Sequence, residues 1–381
     1  MRILYLCADP GIPVLGGKGA SVHLRAMARA LSRLGARVVV ASPRIGSGGE
    51  QLDGAVELVA IEPVLAKEHR SVASLRAAIL SQAREIHALA RAARVEAVYE
   101  RLSLFSDGGV RTARLLGLPH LLEVNAPLRE EALLFRTLPE PALAAELEAS
   151  VLAGTDRIFA VSGVLAGALA AAGVEPRKIE VAPNGVDPAD FPTRAQTRGD
   201  RFTIGFAGSL KPWHGVDVLL DAFGLAARED ASLRLEIVGT GPLAPLVERA
   251  PHVTYLGQQP HRATLAAMSR WHVGVAPFLP LRDFYFSPLK LVEYMASGIC
   301  PVVSDVGDLR ALLGDGERGV LVPAGDAAAL ATALVELSRD PARAAVLGAR
   351  AREHVLVNCT WRRNARRVLD AAAAASAERA A

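Results

Sequence analysis

The sequence predicts an α/β protein made of two doubly wound, Rossmann-like domains that face each other across a cleft. Apolar runs typical of buried strands alternate with helical patterns along nearly the whole chain, which favours parallel sheets with helices on both faces. The chain has 381 residues, enough for two domains. A segment rich in Pro, Gly and polar residues, 183–200, divides the alternation into two similar series.

Each series is assigned element by element from its apolar runs. The first series predicts strands at 2–7, 37–42, 56–61, 96–99, 120–124, 157–161 and 179–182, and helices at 20–34, 71–93 and 139–153. The second predicts strands at 202–207, 233–238, 253–256, 272–276, 301–304 and 319–322, and helices at 215–228, 242–249, 262–270, 288–297 and 326–338. The predicted domains are therefore 1–185 and 186–360, followed by a last helix and a frayed Ala-rich tail over 361–381.

Bulk composition excludes several classes of protein. A hydrophobic content of 51% excludes extensive disorder, and a net charge of +3 does not suggest a nucleic-acid binder. No apolar run is long enough to span a bilayer, and the N-terminal run is too short for a signal peptide. The cysteines Cys7, Cys300 and Cys359 show neither metal-ligand spacing nor a disulfide framework, which predicts a cytoplasmic protein without a metal site.

The most informative motif is 287–305, SPLKLVEYMASGICPVVSD. Ser287 is expected to cap a helix that has Pro288 at its first position. The amide groups of Leu289 and Lys290 would then be unpaired and form an anion site. This site lies at a carboxyl end of a predicted strand, where ligands of doubly wound sheets bind.

Glu293 is expected on the same face of that helix. At 1.5 Å per residue it lies roughly 6–8 Å along the axis from the helix start. That distance is comparable to the span from a diphosphate to the ribose hydroxyls of a nucleotide, so the motif points to a nucleotide sugar. The alternative interpretation is an ordinary helix start whose Glu interacts favourably with the helix dipole.

A second loop of this kind follows the strand at 202–207. It reads GSLKPWHG over 208–215 and precedes a helix, so it offers another anion site beginning at Gly208, with Lys211 and His214 nearby. The two loops together could hold a diphosphate. The alternative interpretation is that Lys211 is solvated and Trp213 is only a packing residue.

Other candidates carry weaker signals. Gly16 and Gly17 lie in a loop after the first strand that permits close approach of a ligand, or is simply a flexible surface loop. Asn125 ends the strand at 120–125 and shares a face with Glu123, so it is expected to reach the cleft. The alternative interpretation is an Asn that only caps a turn. The turn at Gly239 could approach a base or ribose.

Two further features complete the candidates. Asp283 lies just before the helix at 288–297. The helical run 66–95 has an excess of Arg, which predicts a solvated face, with an anionic membrane surface as the alternative.

Six motifs follow one another along the chain: Gly16-Gly17 with His23, Val161-Ser162, 183–187, Gly208 with His214-Gly215, 238–242 and 287–303. Their order resembles glycosyltransferase family 4, which has the GT-B fold. The resemblance implies retaining transfer from a nucleotide sugar without a bound metal or other cofactor. It also implies that the second domain holds the nucleotide, that the first holds the acceptor, and that the last helix crosses back to the first domain.

The resemblance also implies residue roles. Glu293 corresponds to the second acid of the E-x7-E motif and would accept from ribose hydroxyls. Amides at 288–290 would meet the diphosphate or donor sugar, and the Gly16-Gly17 loop would approach the phosphates and acceptor.

Three departures affect the donor-sugar contacts. The first acid of the motif falls on Tyr285, for which Asp283 is the nearest substitute. The usual Arg and Lys ligands of phosphate fall on Ser209 and His214, and Lys211 is the candidate replacement for one of those charges. The His often found at the end of the 120–125 strand is Asn125.

These residues suggest an electrostatic mechanism in which Lys211, His214 and the amides at 288–290 stabilise the leaving diphosphate. The leaving phosphate could take the acceptor proton, with Asn125 bonding a hydroxyl. A diphosphate beside His214 would raise its pKa, so activity would fall on the alkaline side and His214→Lys would flatten that limb.

The expected partners are a nucleotide sugar and an acceptor that is a carbohydrate, a lipid-linked molecule or a small molecule, with no nucleic acid. Peripheral association with the inner face of the membrane stays open. The alternative functional hypotheses are a sugar-nucleotide epimerase of GT-B fold and a non-catalytic partner subunit that no longer reacts with a donor.

Overall fold

The computed structural model describes residues 1–47, 52, 55–135, 137–192, 201–281 and 283–380. By its internal contacts the chain divides into two compact units, Met1–Pro183 with Trp361–Ala381, and Asn184–Thr360. The division falls two residues before the predicted boundary between 185 and 186. Of the linker predicted at 183–200, residues 193–200 lie outside the described part of the chain.

The first unit contains a seven-stranded parallel sheet. Its strands are Arg2–Cys7 (β1), Arg37–Ser42 (β2), Val56–Ala60 (β3), Ala97–Arg101 (β4), His120–Val124 (β5), Arg157–Ala160 (β6) and Ile179–Val181 (β7). They lie in the order β3-β2-β1-β4-β5-β6-β7, so the winding direction reverses between β1 and β4. Strand residues such as Leu4, Leu6 and Val98 are fully buried, because helices cover both faces of a parallel sheet.

The described residues between these strands form the helices Gly19–Arg33 (α1), Val72–Ala92 (α2), Gly108–Leu116 (α3), Leu128–Phe135 (α4), Pro141–Gly154 (α5) and Gly163–Ala171 (α6). Short 3-10 turns lie at Ala66–Glu68 and Pro176–Lys178. Ser71 caps α2 and Ser162 caps α6, each accepting a hydrogen bond from the amide three residues on.

The second unit contains a six-stranded parallel sheet. Its strands are Thr203–Ala207 (β8), Arg234–Val238 (β9), Val253–Tyr255 (β10), Val273–Ala276 (β11), Cys300–Ser304 (β12) and Val320–Val322 (β13). Their order is β10-β9-β8-β11-β12-β13, and the winding direction reverses between β8 and β11. The two sheets confirm the predicted doubly wound α/β class, and the predicted strands match within about two residues.

The helices of the second unit are Val216–Glu229 (α7), Ala244–Glu248 (α8), His261–Met268 (α9), Leu289–Ala296 (α10), Leu309–Leu312 (α11), Ala327–Arg339 (α12) and Pro341–Asn358 (α13). Additional 3-10 turns lie at Pro188–Asp190 and Pro212–His214. A continuous core joins strands and helices here through buried residues such as Phe206, Leu235, Val302 and Leu334.

The last helix, Trp361–Ala380 (α14), belongs to the first unit. Nδ2 of Asn364 donates to the carbonyl oxygen of Pro183 at 2.7 Å. Ala372 and Ala375 are buried, since the methyl side chains of this Ala-rich segment pack against the unit. The described part of the tail that is predicted to fray is helical as far as Ala380.

Candidate active site

The reversal of winding in the second unit determines where its loops meet. Strands β8 and β11 are neighbours, with Val273 opposite Ile204, although they are about seventy residues apart in the chain. The segments that leave their carboxyl ends, 208–215 and 277–288, therefore start side by side. Ligands of doubly wound sheets bind at such a switch point.

Helix α10 begins at this edge, but Ser287 does not cap it. Pro288 occupies the N-cap position and has no side chain that could serve as a cap. The Oγ of Ser287 instead accepts a hydrogen bond from the amide of Asn184 at 2.8 Å. The predicted cap is thus wrong, because Ser287 is engaged in fixing the 184–186 segment. As a consequence, no side chain caps the first amides of α10, and they remain available to an anion.

The side chain of Lys290, in the first turn of α10, is buried. Only 9% of the residue is exposed, and its Nζ has no hydrogen-bond partner among the described residues. Nζ lies over two aromatic rings, with the centroid of Phe206 at 4.0 Å and that of Phe278 at 5.3 Å. Burial lowers the pKa of this ammonium group to about 7. The sequence pointed only to the backbone amide of this residue.

His214 lies in the 3-10 turn of the neighbouring loop. Its Nδ1 is 2.5 Å from the carbonyl oxygen of Ser209, so Nδ1 carries the proton and donates. Burial, and then the positive charge of Lys290, lowers the pKa of His214 to about 3. The imidazole is therefore neutral at pH 7 when no anion is bound, and the charged ring expected from the sequence beside a diphosphate stays a prediction.

Gly208 and Gly239 allow the turns after β8 and β9 to pack closely against each other. A Cβ on Gly239 would lie 1.8 Å from the carbonyl oxygen of Gly208, and Gly239 has a φ of +138°. A Cβ on Gly208, where φ is +148°, would lie 2.8 Å from Nζ of Lys290. Close packing of the two turns thus requires glycine at 239, and the same geometry places the Lys290 ammonium beside Gly208.

The remaining predicted residues of this unit are less enclosed. Lys211 is exposed, with its Nζ 4.7 Å from the centroid of the Trp213 ring. Asp283 is exposed and Tyr285 half-buried, with the Tyr285 ring against that of Phe286 at 4.3 Å between centroids. Asp283, the candidate substitute for the acid that Tyr285 replaces, is thus a surface residue.

Glu293 lies one turn into α10 and is paired with His261. Nε2 of His261, the first residue of α9, is 2.7 Å from Oε1 of Glu293. The side chain of Glu293 is 13% exposed, and its Oε2 makes no hydrogen bond to the described residues. One carboxylate oxygen is therefore positioned by the protein while the other can accept from a ligand. Sequence reasoning missed His261, because no local pattern links it to Glu293.

In the first unit, the Gly16-Gly17 loop is anchored rather than loose. Nη1 of Arg25, from α1, donates to the carbonyl oxygens of Val14 at 2.7 Å and Gly16 at 2.6 Å. Gly16 is half-buried and Gly17 is exposed. The interpretation of this segment as a flexible surface loop is not supported by these contacts.

Glu123 is the centre of a buried polar cluster at the carboxyl ends of β1, β4 and β5. Its carboxylate accepts five hydrogen bonds, from Tyr5, His23, Tyr99, Arg101 and Asn125, at 2.5–3.2 Å. Burial alone would raise the pKa of Glu123, but the charges of His23 and Arg101 and the hydrogen bonds outweigh it and lower the pKa to about 2.

This cluster orients Asn125. Because its Nδ2 donates to Oε1 of Glu123 at 3.2 Å, the carbonyl oxygen Oδ1 remains as an acceptor on a half-buried side chain. The partners Tyr5, Tyr99 and Arg101 were missed by sequence reasoning. Their signal was present, since polar side chains within otherwise apolar buried strands require partners.

Two general observations concern the described residues only. Within those ranges, no group of three or more His, Cys, Asp or Glu side chains is arranged to hold a metal ion. None of the helices in the same ranges has the length and apolar character needed to cross a membrane.

Two family models match consecutive parts of the chain. The model described as Glycosyltransferase Family 4 matches residues 17–190, and the one described as Glycosyl transferases group 1 matches residues 201–340. Over residues 17–190 and 201–340 the chain is thus similar to the glycosyltransferases that these two models describe. The first match includes Gly17 and the Glu123 cluster at β5, and the second includes the Gly208 loop and α10.

The curated relatives are named for inositol compounds. Phosphatidyl-myo-inositol mannosyltransferase of Mycobacterium leprae is 39% identical over 166 residues, which are 42% of this chain and 44% of that protein. The match thus spans less than half the length of that relative. D-inositol 3-phosphate glycosyltransferase of Pseudarthrobacter chlorophenolicus is 27% identical over 91% of this chain and 88% of its own.

Solved structures resemble this chain over nearly its whole length. Sucrose-phosphate synthase from Thermosynechococcus elongatus gives a TM-score of 0.74 at 19% identity, over 97% of both chains. HepE of Anabaena, in complex with UDP and glucose, gives 0.72 at 17% identity, over 97% of this chain and 98% of its own. At these identities the likeness shows the fold alone, which is GT-B.

Proposed function

We propose that the chain is a retaining, metal-independent glycosyltransferase that moves a sugar from a nucleotide-diphosphate sugar to a hydroxyl acceptor. The observation that carries the proposal is the position of Glu293 on α10. The helix combines an N-terminus without a side-chain cap, at the switch point of its sheet, with a carboxylate one turn away whose Oε2 can accept. A ligand with both phosphates and ribose hydroxyls suits this combination.

The proposed reaction exchanges one bond at the anomeric carbon of the donor sugar. The bond from this carbon to the diphosphate oxygen breaks, and a bond to the acceptor oxygen forms on the same face of the sugar. The acceptor proton passes to the leaving diphosphate oxygen. Fixed amides at the start of α10 and nearby cations stabilise the charge that develops on the diphosphate.

Glu123 is a poor candidate for a catalytic base in this reaction. Its carboxylate already accepts five hydrogen bonds, and its pKa is lowered to about 2. A base must accept a proton near the working pH, which this environment opposes. This supports transfer of the acceptor proton to the leaving diphosphate, with Oδ1 of Asn125 accepting a hydrogen bond from a sugar hydroxyl.

The names of the relatives suggest the first acceptors to test. Both refer to an inositol compound, one lipid-linked and one a small phosphorylated molecule. We therefore propose an acceptor of inositol type. If the acceptor is lipid-linked, the protein would associate peripherally with a membrane. Two adjacent leucines on α4, Leu133 and Leu134, support this association because they are 51% and 75% exposed.

A two-step experiment tests this function. Purified protein is first screened by thermal shift against UDP-, GDP- and ADP-sugars, because a bound donor raises the melting temperature. The donor that shifts it is then incubated with myo-inositol 3-phosphate or with phosphatidylinositol vesicles, and the anomeric configuration of the product is determined by NMR. An inverted product would contradict the retaining mechanism.

Two alternatives predict different results in the same screen. A sugar-nucleotide epimerase would convert the labelled donor without any acceptor. A non-catalytic partner subunit would bind no nucleotide sugar, and the departures at Ser209, Asn125 and Tyr285 favour this second alternative over the first. A donor-dependent shift followed by acceptor-dependent release of the nucleoside diphosphate would exclude both.

A further inference from the structure

We propose that the side-chain ammonium of Lys290 is the counter-ion of the donor diphosphate, and that donor binding is coupled to uptake of a proton by this side chain. The inference rests on the proposed function, since it assumes a nucleotide-diphosphate donor at the start of α10. It assigns the main cationic role to a helix side chain, whereas the sequence suggested Lys211 and His214 in the loop.

The ammonium group of Lys290 is buried without a hydrogen-bond partner among the described residues. A buried cation without a hydrogen-bonded partner is strongly unfavourable, so buried lysines are normally paired. Nζ of Lys290 has no hydrogen-bond partner among the described residues, and it lies over the rings of Phe206 and Phe278. These rings attract a cation but accept no conventional hydrogen bond. The three donors of the ammonium group are thus available to an anion.

Lys290 also lies at the start of α10, beside the loop that follows β8. Lys290 is the second residue of α10, so its side chain extends from the same helical turn as the amides without a side-chain cap. Its Nζ lies at Gly208, where a Cβ would be 2.8 Å away. The cation therefore lies where the β8 loop and the start of α10 meet, which is the switch point of the sheet.

Among the described residues, which do not include Arg282, the charged groups on the surrounding elements leave this role to Lys290. In the 208–215 loop His214 is neutral and Lys211 is exposed. In the 277–288 segment Asp283 is exposed, and on α10 Glu293 is bonded to His261. None of these carboxylates is bonded to Nζ, and neither loop residue is a buried cation. Tyr294, also on α10, has a pKa raised by burial and stays neutral.

Proton coupling follows from the ionisation of Lys290. Burial lowers its pKa to about 7, so near neutral pH only part of the population is protonated. A neighbouring diphosphate stabilises the charged form and raises the pKa. With an initial pKa of about 7, binding at pH 7.5 should take up roughly three-quarters of a proton.

The test is calorimetry of UDP-glucose, GDP-mannose and ADP-glucose at pH 7.5, in two buffers that differ in ionisation enthalpy. These donors do not themselves titrate near this pH, so the difference between buffers measures proton uptake by the protein. The unmodified protein should take up a proton with the donor that binds. Lys290→Met should weaken that binding roughly 10- to 100-fold and abolish the uptake.

Two matched variants locate the effect. Arg228→Met removes a positive charge from the exposed C-terminal end of α7 in the same unit, and it should bind and take up protons like the unmodified protein. His214→Gln keeps a donor for the Ser209 carbonyl and should retain proton uptake. Loss of uptake in His214→Gln with retention in Lys290→Met would overturn the proposal in favour of His214.

The remaining outcomes separate this inference from the proposed function. Donor binding by the unmodified protein without proton uptake would overturn the role of Lys290 even if Lys290→Met failed to fold, and would leave the proposed function standing. Equal donor affinity in Lys290→Met and the unmodified protein would do the same. Failure of all three donors to bind the unmodified protein would contradict the proposed function itself, and this inference with it.

Discussion

Nε2 of His261 lies 2.7 Å from Oε1 of Glu293, which joins the first residue of α9 to the middle of α10. The pair lies next to a helix start that lacks a side-chain cap. A carboxylate held through one oxygen keeps a defined orientation for the other, and this is the property that recognition of a ribose hydroxyl requires.

Glu293→Gln should weaken binding of the nucleoside diphosphate by roughly 1–3 kcal/mol, because a carboxylate accepts stronger hydrogen bonds from hydroxyls than an amide does. Calorimetry with UDP, GDP or ADP, whichever binds, measures the change. The matching 2′-deoxynucleotide provides the control for the 2′-hydroxyl, and it should lose less affinity in the variant. An equal loss for both nucleotides would mean that Glu293 does not read this hydroxyl.

His261→Phe should raise the KM for the donor several-fold and change kcat little, since the histidine orients Glu293 without touching the reacting atoms. His261→Gln keeps an N–H donor and should restore much of the KM. Steady-state kinetics of both variants tests the role. A purely structural histidine would lower the melting temperature in both variants without this split between KM and kcat.

The value of kcat/KM should fall as the pH rises above about 7, because this parameter reports ionisations of the free enzyme and Lys290 loses its proton there. His214→Gln should keep this alkaline limb, since His214 is neutral across the range. The pH profiles of the two proteins decide between the residues. A limb that is absent from His214→Gln would restore the sequence-based expectation of a charged His214.

Lys290→Met should stabilise the ligand-free protein by about 1–4 kcal/mol at pH 7, because it removes an unpaired buried charge. The pKa of Lys290 is about 7 when folded and 10.5 in the unfolded chain, so the unfolded state binds more protons between these values. The unfolding free energy should therefore rise with pH from 7 to 10.5 in the unmodified protein, and less so in the variant. Urea unfolding at several pH values provides the comparison, and a less stable variant at pH 7 would contradict it.

Glu123→Gln should destabilise the first unit by about 3–5 kcal/mol at neutral pH, because it leaves Arg101 as a buried cation without its carboxylate. The pKa of Glu123 is lowered to about 2 from 4.5, so this contribution is present above pH 4.5 and is lost as the pH falls towards 2. Glu146→Gln, which breaks the exposed pair with Arg76, should change stability little. Thermal unfolding of the two variants at pH 7 and pH 3 tests this difference.

Local sequence patterns were sufficient for the fold. The strand at Arg2–Cys7 and the helix at Leu289–Ala296 were predicted from short apolar runs and from Pro and Gly at their ends. Such patterns involve residues close together in the sequence, so they can be recognised without the tertiary structure. The predicted cap at Ser287 failed for the opposite reason, since its actual partner, Asn184, is 103 residues away.

Sequence by itself determined that this chain forms two parallel α/β sheets, that a Gly-rich loop follows β8, and that α10 carries Lys290 and Glu293. Only the tertiary structure decided how these side chains are used. The adjacency of β8 and β11 buries the Lys290 ammonium between Phe206 and Phe278, and the packing of α9 places His261 on Glu293. Burial and the distance to a partner set the charge of a side chain, and both arise from contacts between residues far apart in the chain.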